Sequence, residues 1–153
     1  MKSINFAGFL MADCWPIDQF LKPVTLLVFR LYVAWMFFES GLVKIQSWFS
    51  TISLFETEYK VPLLSPELAA YLGTGAELVL PVLLAFGLLT RPAAFALFIF
   101  NITAVISYPY LWTVDGAGGF WQHVTWGAMI WTIFVFGPGK ASIDYLISRW
   151  LTQ

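Results

Sequence analysis

The sequence predicts an all-α membrane protein: a transmembrane four-helix bundle with an interfacial amphipathic helix in its first outer loop. Three observations predict it. Of 153 residues, 59% are hydrophobic and only 11% charged, against about 25% charged in soluble domains. Aromatic residues reach 19%, including eight Trp and fifteen Phe, more apolar surface than a small water-soluble domain can hide. Four runs are each long enough to cross a ~30 Å hydrocarbon core, which takes about 20 mostly apolar residues per helix.

Residues 1–22 read as a short cytoplasmic segment, amphipathic around "CWPIDQFLK". The first apolar run begins at residue 23 and is long, so no cleaved signal peptide is expected, and the first helix serves as the insertion signal. Asp13 stands before Cys14 where signal processing favours a small residue, which argues against a lipid anchor there. The membrane domain covers 23–140, with helices at about 23–44, 66–89, 91–108 and 119–137. Ser65 fits as the N-cap of the second helix and Pro66 as its first residue. The turn to the third helix is so short that the two must be antiparallel neighbours. Tyr108-Pro109 stops the third helix, and Gly137-Pro138-Gly139 stops the fourth. Residues 141–153 form a cytoplasmic tail.

In the loop 45–61, Ile45, Trp48, Phe49, Ile52, Phe55 and Tyr59 recur at three- and four-residue steps, with Ser and Gln largely opposite. That is the pattern of a helix lying in the membrane interface, either packed on the bundle as a lid or covering a lateral ligand entrance. Basic residues set the orientation. Lys2, Lys22, Arg91, Lys140 and Arg149 fall on one side, Lys44 and Lys60 on the other. The richer side is cytoplasmic, which puts both termini inside and Glu56, Glu58, Glu67 and Asp115 outside.

Several function classes are excluded or left without support. The net charge of −1 leaves no basic patch for nucleic acid. Cys14 is the single cysteine, so no intrachain disulfide forms. There is no Cys-x-x-Cys, no flavin or nicotinamide fingerprint, and one histidine where a haem needs two axial ligands. No metal site and no intrinsic cofactor are expected.

Glu77 stands alone in "GTGAELVLPVLLAFGLL". An ionisable residue inside a membrane helix faces a partner or a cavity. At ~1.5 Å per residue, Arg30 lies roughly 10 Å from the cytoplasmic side. Glu77 and Asn101 come out at about 14 Å by the same measure. The expectation is therefore an Arg30–Glu77 pair with Asn101 nearby, and Pro81 freeing the Glu77 carbonyl for want of an amide hydrogen. A second, outer polar layer holds Glu39, His123, Lys44 and Tyr108, with Glu39–His123 as its sharpest pairing. Arg30, Ala34, Phe37, Gly41 and Lys44 share one helix face whose small residues suit close contact.

These residues carry a resemblance to the DoxX family of small four-helix membrane proteins. Helix one resembles its Arg…Gly…Phe…Gly…Lys pattern through Arg30, Ala34, Phe37, Gly41 and Lys44. Helix two resembles its Glu-Leu…Gly-Leu-x-Thr-Arg pattern through Glu77, Leu78, Gly87, Leu88, Thr90 and Arg91. The tail resembles its Gly-Pro-Gly-x-x-Ser-x-Asp ending through Gly137, Pro138, Gly139, Ser142 and Asp144. The match covers about 24–146, with Ala34 in place of a usual glycine and Pro81 at a position commonly small or apolar. The resemblance implies an inner-membrane component linked to quinone or thiol redox systems, at most a non-catalytic or quinone-binding subunit of an oxidoreductase. It implies a bound quinone or lipid, a partner redox or metal-handling protein, and Arg30, Glu77 and Lys44 as the polar core. Three readings stand open: a quinone-linked subunit, with apolar walls at Trp35, Trp126 and Trp131; a membrane anchor in which the charged pair only holds helices together; and a small-solute, proton or metal-ion pathway formed by a homo-oligomer.

Overall fold

The computed structural model describes residues 16–152. They are helical throughout, with no strand among them: α1 (Pro16–Gln46), α2 (Trp48–Thr57), α3 (Pro66–Phe86), α4 (Thr90–Ser107), a 3-10 turn (Pro109–Trp112), α5 (Ala117–Phe136) and α6 (Ile143–Leu151). The segment around Cys14 lies outside the described residues, as does Trp15.

α1 is already helical at Pro16, the first described residue and seven before the expected Pro23, and it runs through Pro23. Pro23 then gives up one helical hydrogen bond inside the run. α3 begins as its sequence dictates: the Ser65 hydroxyl accepts from the Leu68 amide at 3.4 Å, and Pro66 opens the helix. It continues unbroken through Pro81 and ends at Phe86, three residues early, because Gly87 turns left-handed at φ 67°. The tail contains a helix that its sequence did not announce. α6 is capped by the Ser142 hydroxyl, which accepts from the Tyr145 amide at 3.2 Å.

α1 packs along α3 and α5, α4 along α3 and α5, and α2 lies across α3. The core gathers Val33 and Phe37 from α1, Leu84 from α3, Leu97 from α4, and Ile130 and Ile133 from α5. Under α2 a smaller cluster joins Phe55 to Ala69 and Ala70. The outward faces are apolar as well, with Trp35, Val79, Phe95, Ile106 and Trp131 exposed. Helices apolar on every side belong in a membrane or a large core. Gln19–Gln46, Pro66–Phe86 and Thr90–Ser107 are long and apolar enough to cross a bilayer. α5 has 20 residues but mixes in Gly, Gln, His and Thr.

Candidate functional site

Arg30 and Glu77 are both buried, at 1% and 7% exposure, but they do not pair. Arg30 sits where the α3–α4 turn meets the Gly137-Pro138-Gly139 turn. Its Nε donates to the Leu84 carbonyl at 2.9 Å and one Nη to the Ala85 carbonyl at 2.8 Å. The other Nη donates to the carbonyls of Pro138 at 2.6 Å and Ala141 at 3.0 Å. Leu84 and Ala85 belong to the last turn of α3, where carbonyls run short of helical donors, and the Leu84 carbonyl accepts from the Gly87 amide as well, at 3.1 Å. A guanidinium satisfies such an end through both hydrogen bonds and the helix dipole. Asp144 completes the joint. Its carboxylate accepts from the amides of Leu89 at 2.9 Å and Thr90 at 2.8 Å, at the positive start of α4. Burial pushes the Asp144 carboxyl up, but these hydrogen bonds and the Arg30 charge outweigh it and hold it below the ordinary carboxylate range.

Glu77 lies seven residues before Leu84, about 10 Å away along α3, and its partner is Lys44. Lys44 Nζ stands 2.7 Å and 2.8 Å from the two carboxylate oxygens, and Ser40 adds a hydroxyl at 3.2 Å from one of them. Lys44 Nζ also donates to the Ser40 hydroxyl at 2.9 Å. Gly41 makes the pairing possible: a Cβ there would stand 2.9 Å from the Leu78 side chain and 3.1 Å from the Glu77 Cβ, so only glycine lets α1 approach α3 this closely. The expected Arg30–Glu77 pair fails because the depth estimate took Pro23 as the start of α1 and level with the membrane surface. The helix is longer, and the arginine belongs to the joint at one end.

Asn101 is likewise away from Glu77. It is 4% exposed and joins α4 to α5 by two bonds to His123, its nitrogen donating to the main-chain carbonyl at 3.0 Å and its oxygen 2.8 Å from Nδ1. Glu39 is exposed and does not pair with His123, whose ring is turned inward to Asn101. Tyr108 donates its hydroxyl to the Glu58 carboxylate at 3.3 Å.

Between these groups lies a cavity of about 500 Å³. Its walls are mainly apolar, from Met36, Phe37, Leu80, Phe100 and Trp126. Its polar groups are the Lys44–Glu77 pair, Ser40, Tyr59, Thr103, Ser107, Tyr108 and His123. Exposed Leu72 of α3 and Ile99 of α4 also line it, so the cavity opens to the flank between those helices. Tyr59 and Phe55 stand at its α2 end. Phe55 fits over Gly73, where a Cβ would meet its ring at 3.2 Å. Burial, then the charges of Glu77, Tyr108 and Glu58, push the Tyr59 phenol up to about 12, so it stays a hydroxyl at neutral pH. The Ser107 hydroxyl is fully buried and has no hydrogen-bond partner among the described residues.

Of the residues singled out by sequence, Lys44, Glu77, His123 and Tyr108 meet at this cavity, and Asn101 stands behind His123. Arg30 and Glu39 are elsewhere. Trp126 lines the cavity, whereas Trp35 and Trp131 do not. Ser40, Tyr59 and Ser107 carried no sequence signal as a set, although Ser40 is one helical turn from Lys44, a spacing that brings side chains together.

The DoxX family profile matches residues 25–110. An uncharacterised protein of Haemophilus influenzae is 32% identical over 149 residues, covering 91% of this chain and 93% of the relative. The inner membrane protein YphA of Escherichia coli is 33% identical over 131 residues, covering 80% of this chain and 90% of YphA. No solved structure matches the chain significantly. With a profile match over more than half its length and relatives aligned almost end to end, the chain is an integral membrane protein and belongs to the DoxX family.

Proposed function

We propose that this protein is a quinone-binding inner-membrane subunit that takes its ligand into the cavity from the bilayer. In this reading α1, α3, α4 and α5 span the membrane as a four-helix bundle, α2 lies in the outer interface, and both termini are cytoplasmic. The carrying observation is the cavity of about 500 Å³. Its size lies within the 300–1,000 Å³ usual for small-molecule sites. Apolar walls with a few convergent polar groups suit a planar ring bearing two oxygens. The flank opening between α3 and α4 suits a ligand dissolved in lipid. YphA, a relative named as an inner membrane protein, supports the location. The electrons are supplied or removed by a partner redox protein.

Titrating a short-chain quinone into the purified protein in nanodiscs, with tryptophan fluorescence as readout, tests this. Saturable binding, weakened at least tenfold by Leu80→Trp, which fills the cavity, is expected. Non-saturable partitioning that Leu80→Trp leaves unchanged contradicts it.

A further inference from the structure

His123 is the only histidine in the chain, and its surroundings fix where its proton sits. The Asn101 group facing the His123 carbonyl, at 3.0 Å, must be the amide nitrogen, because a carbonyl oxygen only accepts. The Asn101 oxygen is thereby turned to the ring, 2.8 Å from Nδ1. That oxygen also only accepts, so Nδ1 carries the proton. In the neutral ring Nε2 then holds a lone pair. Nε2 has no hydrogen-bond partner among the described residues. His123 lines the cavity while Asn101 does not, and the two together border a second, more open cavity between α4 and α5. Trp126 stands edge-to-face on the ring at 4.9 Å and itself packs on Phe37 at 5.6 Å, which holds the orientation.

We propose that His123 is the cavity's acceptor for a ligand hydroxyl, with Asn101 as the positioning residue that sets its tautomer. The site then prefers the hydroquinone form of its ligand to the quinone form. A hydroxyl hydrogen meets the Nε2 lone pair directly, whereas a quinone carbonyl would turn its own lone pairs on it. This rests on the quinone-class reading above and adds which redox form is held and by which atom.

Two measurements test it. The first needs no ligand. With ¹⁵N-labelled histidine in nanodiscs, a single imidazole pair reports the tautomer. A protonated Nδ1 and a bare Nε2 are expected, with partial transfer of the proton to Nε2 in Asn101→Leu. A proton on Nε2 in the wild type, or a tautomer unmoved in Asn101→Leu, overturns the proposal. The second compares a short-chain hydroquinone, its dimethyl ether and the quinone. The wild type is expected to favour the hydroquinone over the other two by about tenfold, one good hydrogen bond. His123→Phe is expected to abolish that preference and leave quinone affinity within about twofold. A preference that survives in His123→Phe, or was never present, overturns the assignment of the ligand atom. Absence of binding by all three probes overturns the quinone-class reading and the ligand assignment together, and the tautomer stands or falls by its own spectrum.

Discussion

Arg30 and Lys44, both on α1, do different work, set by their distance along one helix. Arg30 meets four carbonyls at a joint, and Lys44 meets one carboxylate beside a cavity. The Lys44 and Glu77 side chains are only 11% and 9% exposed. Removing one charge from such a pair strands the other, at a cost of about 3–5 kcal/mol. Lys44→Met should therefore unfold far more readily in a thermal melt in detergent, and Lys44→Met with Glu77→Leu should recover much of the loss. A double variant as unstable as the single one would show that the pair is not what Glu77 needs. Asp144 predicts a pH dependence. Its folded carboxyl titrates below the ordinary range, which is about 3.9 for an unfolded aspartate. Its contribution is complete above that value and is lost as pH falls through the lower, folded one. Unfolding measured across acid pH should steepen below about pH 4, and Asp144→Asn should flatten that limb. Tyr59 has the opposite sign. Its phenol titrates at about 12 when folded against about 10 when unfolded, so its contribution holds below pH ~10 and is lost as pH rises towards 12. Tyr59→Phe should remove that alkaline loss.

At the scale of elements, the legible parts were those written in local chemistry. Ser65-Pro66 gave the start of α3, Tyr108-Pro109 the end of α4, and the aromatic stripe from Trp48 to Tyr59 gave α2. The positions of the polar groups were less legible, because they depend on which turn of one helix faces which turn of another. Depth counted from Pro23 put Arg30 beside Glu77, when α1 is already helical at Pro16. The residue types at the joint held the information, in Gly87, Thr90, Gly137 and Asp144, but nothing local says that an arginine will cap a helix far away in sequence. Gly87 shows how tightly the joint is built. Its φ is 67°, and a Cβ would stand 2.5 Å from the Ser142 Cβ and 2.6 Å from an Arg30 nitrogen. Gly87→Ala should therefore destabilise well beyond the roughly 1 kcal/mol that a left-handed alanine costs by itself. A denaturant titration checks this, and a loss no larger than that backbone value would mean that the tail moves aside at little cost.

The molecule as a whole combines an all-helical fold, DoxX family membership and a mainly apolar cavity among its long helices. The proposed orientation puts the Arg30–Asp144 joint at the cytoplasmic end, and α2, Tyr59 and Tyr108 at the outer end. Single cysteines placed at exposed Glu58 and Lys140 in a Cys14→Ser background test that orientation. Glu58→Cys should react with a membrane-impermeant maleimide in intact cells, and Lys140→Cys only after lysis. The central claim, that the cavity holds a quinone-class ligand, is tested most directly by photolabelling the protein in nanodiscs with an azidoquinone and mapping the label by mass spectrometry. The account predicts label on cavity-lining positions of α1, α3 and α4, such as Met36, Leu80 and Phe100, suppressed by excess unlabelled hydroquinone. Label confined to lipid-facing residues such as Trp35 and Val79, and unaffected by competitor, would contradict it.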